Sequence, residues 1–129
     1  KKTSKDEVII DSGKASLPMV IATWDVKNAT AKAWEVLEAG GNALDAVEQG
    51  CKVEEANEKG QSVGKGGLPD REGNVTLDAC IMDQHGNCGA VVYLQNNVND
   101  GSLGRKVMEE RPHVMVEGQG TEQFTYKMG

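Results

Sequence analysis

The chain has 129 residues, 38% of them apolar and 26% charged, which is the size and composition of one ordinary soluble globular domain. Its net charge is −6 and no cluster of Lys and Arg interrupts the acidic balance, so nucleic acid is not expected as a partner. No apolar run approaches the roughly 20 residues that a membrane-spanning helix needs. Three cysteines, Cys51, Cys80 and Cys88, match neither a redox motif nor a zinc site.

The first 16 residues are mostly charged and polar, and we predict that 1–16 form a mobile N-terminal arm. The chain starts at Lys1 rather than Met and carries no apolar signal-peptide core, which indicates a processed chain or a piece of one. Residues 19–23 follow, apolar on both faces. They predict a short buried strand with Trp24 at its end.

Two helices come next. Apolar residues recur at i, i+4, i+7 and i+8, one face of a 3.6-residue period, at Ala29, Ala33, Val36 and Leu37. A glycine pair at 40–41 ends this helix, and Asn42 caps the next one with Asp45 three residues on. Residues 43, 44, 47 and 51 are the predicted inner stripe of the second helix. Since the two helices are joined by the glycine pair, we expect an αα-hairpin.

A Gly-rich loop at 62–67, Ser-Val-Gly-Lys-Gly-Gly, leads into a predicted β-hairpin. A phosphate-binding loop is not favoured, because Gly66 rather than Ser or Thr follows Lys65 and no apolar strand precedes the loop. The strands are predicted at Val75–Asp83 and Cys88–Leu94, joined by a tight turn containing Gly86. A helix at Ser102–Glu110, a strand at His113–Val116 and a last helix capped by Thr121 complete the prediction.

One cluster of potential metal ligands lies around the hairpin turn, at Asp83, His85 and Cys88. A metal site needs three or four convergent ligands, and a hairpin turn brings together two or three at most. We therefore predict no metal. His113 follows a proline at the start of a strand, where a structural role is favoured, and the chain offers no Ser-His-Asp set.

Composition and spacing lead no further than a soluble α/β domain, but several blocks of the sequence, in order and in register from about residue 17 to 129, resemble the glycosylasparaginase (aspartylglucosaminidase) family. The blocks are Thr23-Trp24, Asn28-Ala29-Thr30, Ala33-Trp34, Gly41–Glu48, Ser62-Val63-Gly64, Gly66-Gly67, Thr76–Asp83, Arg105–Glu109 and Pro112–Met115.

The resemblance implies an N-terminal nucleophile hydrolase with a four-layer αββα sandwich, made as a precursor that cleaves itself into α and β chains. The family reaction removes the amide link between N-acetylglucosamine and asparagine, with no cofactor. Its nucleophile is the N-terminal Thr of the β chain, in an Asp-Thr-Ile-Gly motif that this chain lacks. Residues 17–129 would therefore be the α-chain half, working with a β chain in an (αβ)2 assembly. A periplasmic or lysosomal, secretory-type compartment would fit.

Two site residues follow from the same resemblance. Trp24 matches a tryptophan that lines the substrate pocket, and a large ring at a strand end can wall a pocket and exclude water. Ser62 matches a serine beside the nucleophile, whose hydroxyl could orient the reactive threonine. Plain structural roles, as a core tryptophan and a loop-capping serine, are the alternatives. The chain departs from the family pattern at Lys65, at Asp100-Gly101 and at Glu117.

Two other functions are open. Isoaspartyl peptidases and plant-type asparaginases share the fold and the nucleophile, but they carry other sequences where residues 21–24 and 62–67 stand here, which favours the glycosylated substrate. A non-catalytic, stand-alone domain is the third possibility. It predicts a folded monomer without an open sheet edge, whereas an α-chain half predicts unpaired strands and uncovered apolar surface.

Overall fold

A computed structural model of the chain describes residues 13, 16–95 and 100–118. In chain order its elements are α1 (Lys27–Glu38), α2 (Ala43–Glu55), a short 3-10 turn (Gly64–Gly66), β1 (Leu77–Met82), β2 (Cys88–Leu94), α3 (Asp100–Glu110) and β3 (Met115–Glu117). The described part is thus of the α/β class. The predicted arm, apart from Gly13 and Ser16, and the predicted last helix lie outside the described residues and stay predictions.

The helix pair α1 and α2 forms the expected αα-hairpin, and its caps are those that the sequence predicts. The N–H of Gly41 donates to the carbonyl of Val36 at 2.8 Å, while Gly40 adopts a φ of +86°. Asn42 then caps α2, because its Oδ1 accepts the N–H of Asp45 at 2.8 Å and its Nδ2 donates to the same residue's carboxylate at 2.9 Å. The chain therefore reverses direction within a few residues.

The buried face of α2 differs from the prediction. Val47 and Cys51 are exposed, whereas Ala46, Gly50 and Glu55 are buried. A Cβ on Gly50 would stand 2.8 Å from the carbonyl oxygen of Ala29. Small residues thus let α1 and α2 approach closely, so that the face with the smallest side chains, rather than the most apolar one, is turned inward.

A three-stranded sheet in the order β1-β2-β3 forms the second half of the described fold. The hairpin is confirmed: β1 and β2 are antiparallel, with Met82 opposite Cys88. β3 is parallel to β2, with Met115 opposite Ala90, and it begins two residues later than predicted. β1 has a neighbour on one side only within the described residues, so its outer edge is open there.

The core lies between the sheet and α3. Val91 and Leu94 of β2 pack with Leu103 and Val107 of α3. The helix approaches the sheet closely at Gly89, where a Cβ would overlap the backbone of α3. On the opposite face of the sheet, the side chains of Cys80 and Met82 are exposed. Among the described residues, one face of the sheet is therefore covered and the other is not.

The prediction of a strand at 19–23 is wrong for this chain, since those residues adopt no regular structure. Ile21 is 80% exposed and Leu17 is 81% exposed. A strand needs a neighbour to satisfy its backbone N–H and C=O groups, and the described part of the chain supplies none beside this segment.

Candidate functional site

Ser62 lies in the exposed loop between α2 and the 3-10 turn, two residues before Gly64. Within the described residues, neither its hydroxyl nor its backbone makes a hydrogen bond. The hydroxyl is accordingly available to a group from outside the described part. The position of Ser62 must then be set by the residues around it.

Glycines hold this loop against the end of α2. Gly64 is buried with a φ of +58°, and a Cβ on it would overlap the carbonyl oxygen and Cα of Glu55. Gly66 lies in the same way against the carbonyl of Gly60. Only glycine allows both this left-handed conformation and this close contact. The glycines at 64 and 66 are thus explained by close packing against protein backbone.

Glu55, the last residue of α2, is the buried carboxylate nearest to this loop, with only 6% of its surface exposed. Its Oε1 accepts the backbone N–H of Gly101 at 2.9 Å, in the first turn of α3. Its Oε2 is buried and has no hydrogen-bond partner among the described residues. Burial raises the pKa of Glu55, and the hydrogen bond from Gly101 and the charge of Lys52 only partly oppose this.

A second acidic residue on the same face of α2, Glu48, binds the next part of α3. It accepts the hydroxyl of Ser102 at 2.5 Å, Nη1 of Arg105 at 2.7 Å and Nζ of Lys52 at 3.1 Å. Burial alone would raise the pKa of Glu48, but these three donors outweigh it and hold the pKa below its ordinary value.

Arg105 extends this network, because it also contacts Asp45 at 2.6 Å and Glu109 at 2.8 Å. The hydrogen bonds from Arg105 to Glu109, Asp45 and Glu48 raise the pKa of the guanidinium. The network fixes α3 on α2, and Glu55 lies at the end of it that is closest to the Ser62 loop.

Trp24 lies three residues before α1 and is 72% exposed. It is not part of the core that the described residues form. No hydrogen bond joins its indole to Ser62 or to any other described residue. The structure therefore places both predicted site residues at the surface without joining them, and their roles in catalysis and substrate binding stay predictions.

The turn between β1 and β2 has a structural explanation. Oδ1 of Asp83 accepts the backbone N–H groups of His85 at 2.8 Å and Asn87 at 2.9 Å. Chiefly through the side-chain hydrogen bond from Asn87, the pKa of Asp83 is lowered. In the part of the chain that the structure describes, no group of three or more His, Cys, Asp or Glu side chains is placed to hold a metal ion.

Sequence reasoning missed Glu55, which belongs to a charged run that we expected to fray from the end of α2. One signal was available. Glu48, Lys52 and Glu55 are spaced i, i+4 and i+7, so they share one helix face. The pattern shows a polar face but does not reveal that α3 covers it.

No helix among the described residues is both long and apolar enough to cross a membrane.

Comparison with known proteins gives one family and several named relatives. The profile of the family described as Asparaginase matches residues 7–129. N(4)-(β-N-acetylglucosaminyl)-L-asparaginase of Rattus norvegicus is 45% identical over 118 residues, which are 91% of this chain and 34% of that protein. The protein of the same name from Elizabethkingia miricola is 51% identical over 69 residues, 54% of this chain and 20% of that protein.

More distant similarity links the chain to isoaspartyl peptidase of Escherichia coli, at 39% identity over 71 residues, 53% of this chain and 22% of that protein. The chain thus spans about a third or less of the length of each of these relatives.

Proposed function

Because this chain belongs to the asparaginase family, we propose that it is the α part of a hydrolase that cleaves the amide bond between N-acetylglucosamine and asparagine. The observation that carries the proposal is the 45% identity, over 91% of the chain, to a rat protein named for that substrate. Isoaspartyl peptidases match at lower identity and over about half of the chain. Recognition of the glycosylated substrate is therefore favoured.

In this proposal residues 17–129 form the α-chain half of a four-layer αββα sandwich, residues 1–16 are an arm, and a β chain completes the fold. Two features support a missing partner. The outer edge of β1 is open among the described residues, and apolar side chains remain uncovered on the segment before α1 and on the sheet. A stand-alone domain would be expected to cover both.

The catalytic step belongs to the β chain, whose N-terminal Thr supplies the nucleophilic hydroxyl and the amino group that takes up its proton. This chain supplies the surroundings. The free hydroxyl of Ser62 would hydrogen-bond the threonine and fix its orientation, and the exposed ring of Trp24 would wall the substrate pocket once the β chain is in place. Aspartate and a glycosylamine are the products.

The proposal also includes an (αβ)2 assembly of α and β chains. It places the protein in a periplasmic or lysosomal, secretory-type compartment. The rat relative is named for the activity proposed here. We expect no cofactor. Sedimentation of the assembled protein and fractionation of the source cells would test these two points.

The decisive experiment is to express the chain together with its downstream segment and to measure aspartate release from glycosylasparagine and from an isoaspartyl dipeptide. We expect hydrolysis that depends on the N-terminal Thr of the β chain and that is faster on glycosylasparagine. Preference for the dipeptide would replace the substrate with that of isoaspartyl peptidases. If neither compound is cleaved by an assembled α/β protein, the enzymatic proposal is wrong.

A further inference from the structure

Glu55 joins two parts of the molecule that are distant in sequence. Its carboxylate holds the first turn of α3 through Gly101, 46 positions away, and its backbone forms the surface on which Gly64 rests. Ser62 is two residues from Gly64. Glu55 therefore contacts both the first turn of α3 and the loop that carries Ser62.

The position of Ser62 depends on the contacts of its neighbours in the loop. Within the described residues Ser62 makes no hydrogen bond of its own, so its position depends on the backbone groups against which Gly64 and Gly66 pack. Gly66 packs against the carbonyl of Gly60, in the segment that follows α2. Both contacts are therefore made with the last residue of α2 or with the segment that directly follows it.

A buried carboxylate is an unfavourable choice for packing alone. Oε2 of Glu55 lacks a partner in the described part of the chain, and an unpaired buried polar atom is destabilising. The groups that face the carboxylate are Glu48, Cys51 and Lys52 on α2 and the N–H of Gly101 on α3. The N–H of Gly101 lies in the first turn of α3, where backbone N–H groups have no acceptor within the helix, which explains the contact.

We propose that Glu55 is a positioning residue for Ser62. By fixing the end of α2 against α3, Glu55 holds in place the backbone against which Gly64 packs. It thereby holds the serine hydroxyl at the place where the nucleophile must be oriented. This inference rests on the proposed function. It adds a residue that touches neither substrate nor nucleophile.

The test compares Glu55→Ala, Glu55→Gln and Glu55→Asp in the assembled α/β protein, with Glu54→Ala as the matched control on the adjacent, half-buried position of α2. We expect Glu55→Ala to lower kcat about 10- to 100-fold, the effect of a displacement of roughly 1 Å, while KM changes less than about twofold. Glu55→Gln keeps an acceptor for the N–H of Gly101 and should restore most of kcat. Glu55→Asp is too short to reach it and should be intermediate. Equal losses in kcat for Glu55→Ala and Glu54→Ala would overturn the proposal, as would a change confined to KM.

A double-mutant cycle with Ser62→Ala shows whether the effect runs through the serine. If it does, Glu55→Ala in the Ser62→Ala background should change kcat by less than about twofold. Multiplicative losses would mean that Glu55 acts by another route, and the proposal would fail.

Hydrogen exchange gives a readout that does not depend on activity. The N–H of Gly67 donates to the carbonyl of Gly64 at 3.0 Å within the loop. We expect Glu55→Ala, but not Glu54→Ala, to speed hydrogen exchange of the Gly67 N–H at least about tenfold, because the backbone against which Gly64 packs is no longer held in place. Unchanged exchange would overturn the positioning role. An inactive wild-type assembly with this faster exchange would instead refute only the proposed function.

Discussion

Gly64 lies so close to the backbone of Glu55 that a side chain at position 64 would overlap the carbonyl oxygen of residue 55. The contact joins the last turn of α2 to the loop that carries Ser62. It combines a left-handed φ of +58° with a complete lack of space, and each of these alone would favour glycine.

Gly64→Ala should therefore lower the free energy of unfolding of the α/β protein by about 2–5 kcal/mol, from the left-handed conformation and the overlap together. The matched control is Gly73→Ala, where φ is +89° but nothing lies within 4 Å of the added Cβ. The control should lose only about 1–2 kcal/mol. Urea unfolding measures both, and equal losses would mean that the loop can move away from Glu55 without penalty.

The network around Arg105 leads to a second prediction. Arg105→Met keeps an unbranched side chain about as long as the aliphatic stem of Arg but removes all three carboxylate contacts, leaving the largely buried Glu48 with Lys52 and Ser102 only. We expect a loss of about 1–3 kcal/mol in unfolding free energy, most of it from Glu48, because the other two carboxylates are more exposed.

Lys32→Met is the control for that variant, since Lys32 pairs with Glu35 at 2.7 Å on the open surface of α1. Exposed pairs contribute little, so this variant should change the unfolding free energy by less than about 1 kcal/mol. If both variants behave alike in urea, the Arg105 network does not fix α3 on α2.

The parts of the fold that the sequence predicts well are those governed by neighbouring residues. The Asn42 cap with Asp45 and the turn that Asp83 organises are contacts over two to four positions, and both are present. The strand at 19–23 could not be judged in this way, because a strand requires a neighbour that this chain does not provide among its described residues. The prediction of the inner face of α2 was wrong, because Gly50 has no side chain whose polarity could indicate that the position is buried.

The candidate site shows the same limit more strongly. Ser62 and Trp24 were found through a family resemblance, and the structure adds that both are exposed and that Ser62 lies two residues before Gly64, which packs against Glu55. Glu55 was not found, since its partner Gly101 is 46 positions away and only the folded arrangement of α2 and α3 brings them together. The spacing of Glu48, Lys52 and Glu55 indicates a polar helix face, but the sequence does not show which distant residue that face contacts.

Trp24→Ala tests the pocket wall. The ring is 72% exposed in this chain, so its removal should leave the chain folded. If the ring contacts substrate in ground state and transition state alike, KM for glycosylasparagine should rise about tenfold, or about 1.4 kcal/mol of lost binding, with kcat unchanged. Trp34→Ala removes the other tryptophan, on α1, and should leave KM unchanged. An unchanged KM in Trp24→Ala would show that the ring does not line the pocket.

Ser62→Ala tests the orienting hydroxyl. The amino group of the threonine becomes charged as it takes up the proton of the hydroxyl, and a hydrogen bond to a charged group contributes about 1.5–3 kcal/mol. Its loss should therefore lower kcat about 10- to 100-fold while KM stays within about twofold. Ser62→Thr retains a hydroxyl and should keep most of the activity. Steady-state kinetics on glycosylasparagine measure both variants. Equal activity in wild type and Ser62→Ala would show that the serine hydroxyl does not orient the nucleophile.

The raised pKa of Glu55 predicts a pH dependence of stability with a definite sign. Burial, the largest cause, makes the folded protein hold this proton to a higher pH than the unfolded chain, where glutamate titrates near its ordinary value of 4.5. The stabilisation from protonated Glu55 is thus complete below that value and is lost as the pH rises through the folded-state pKa. Glu55→Gln cannot titrate, so the unfolding free energy of wild type minus that of the variant should fall over this window and become constant above it. Urea unfolding from pH 4 to pH 8 at two salt concentrations provides the measurement, because salt screens exposed pairs much more than a buried carboxylate. A difference that is constant across the whole range, or that rises with pH, would mean that Glu55 is already charged in the folded protein and that its Oε2 has a hydrogen-bond donor beyond the described residues.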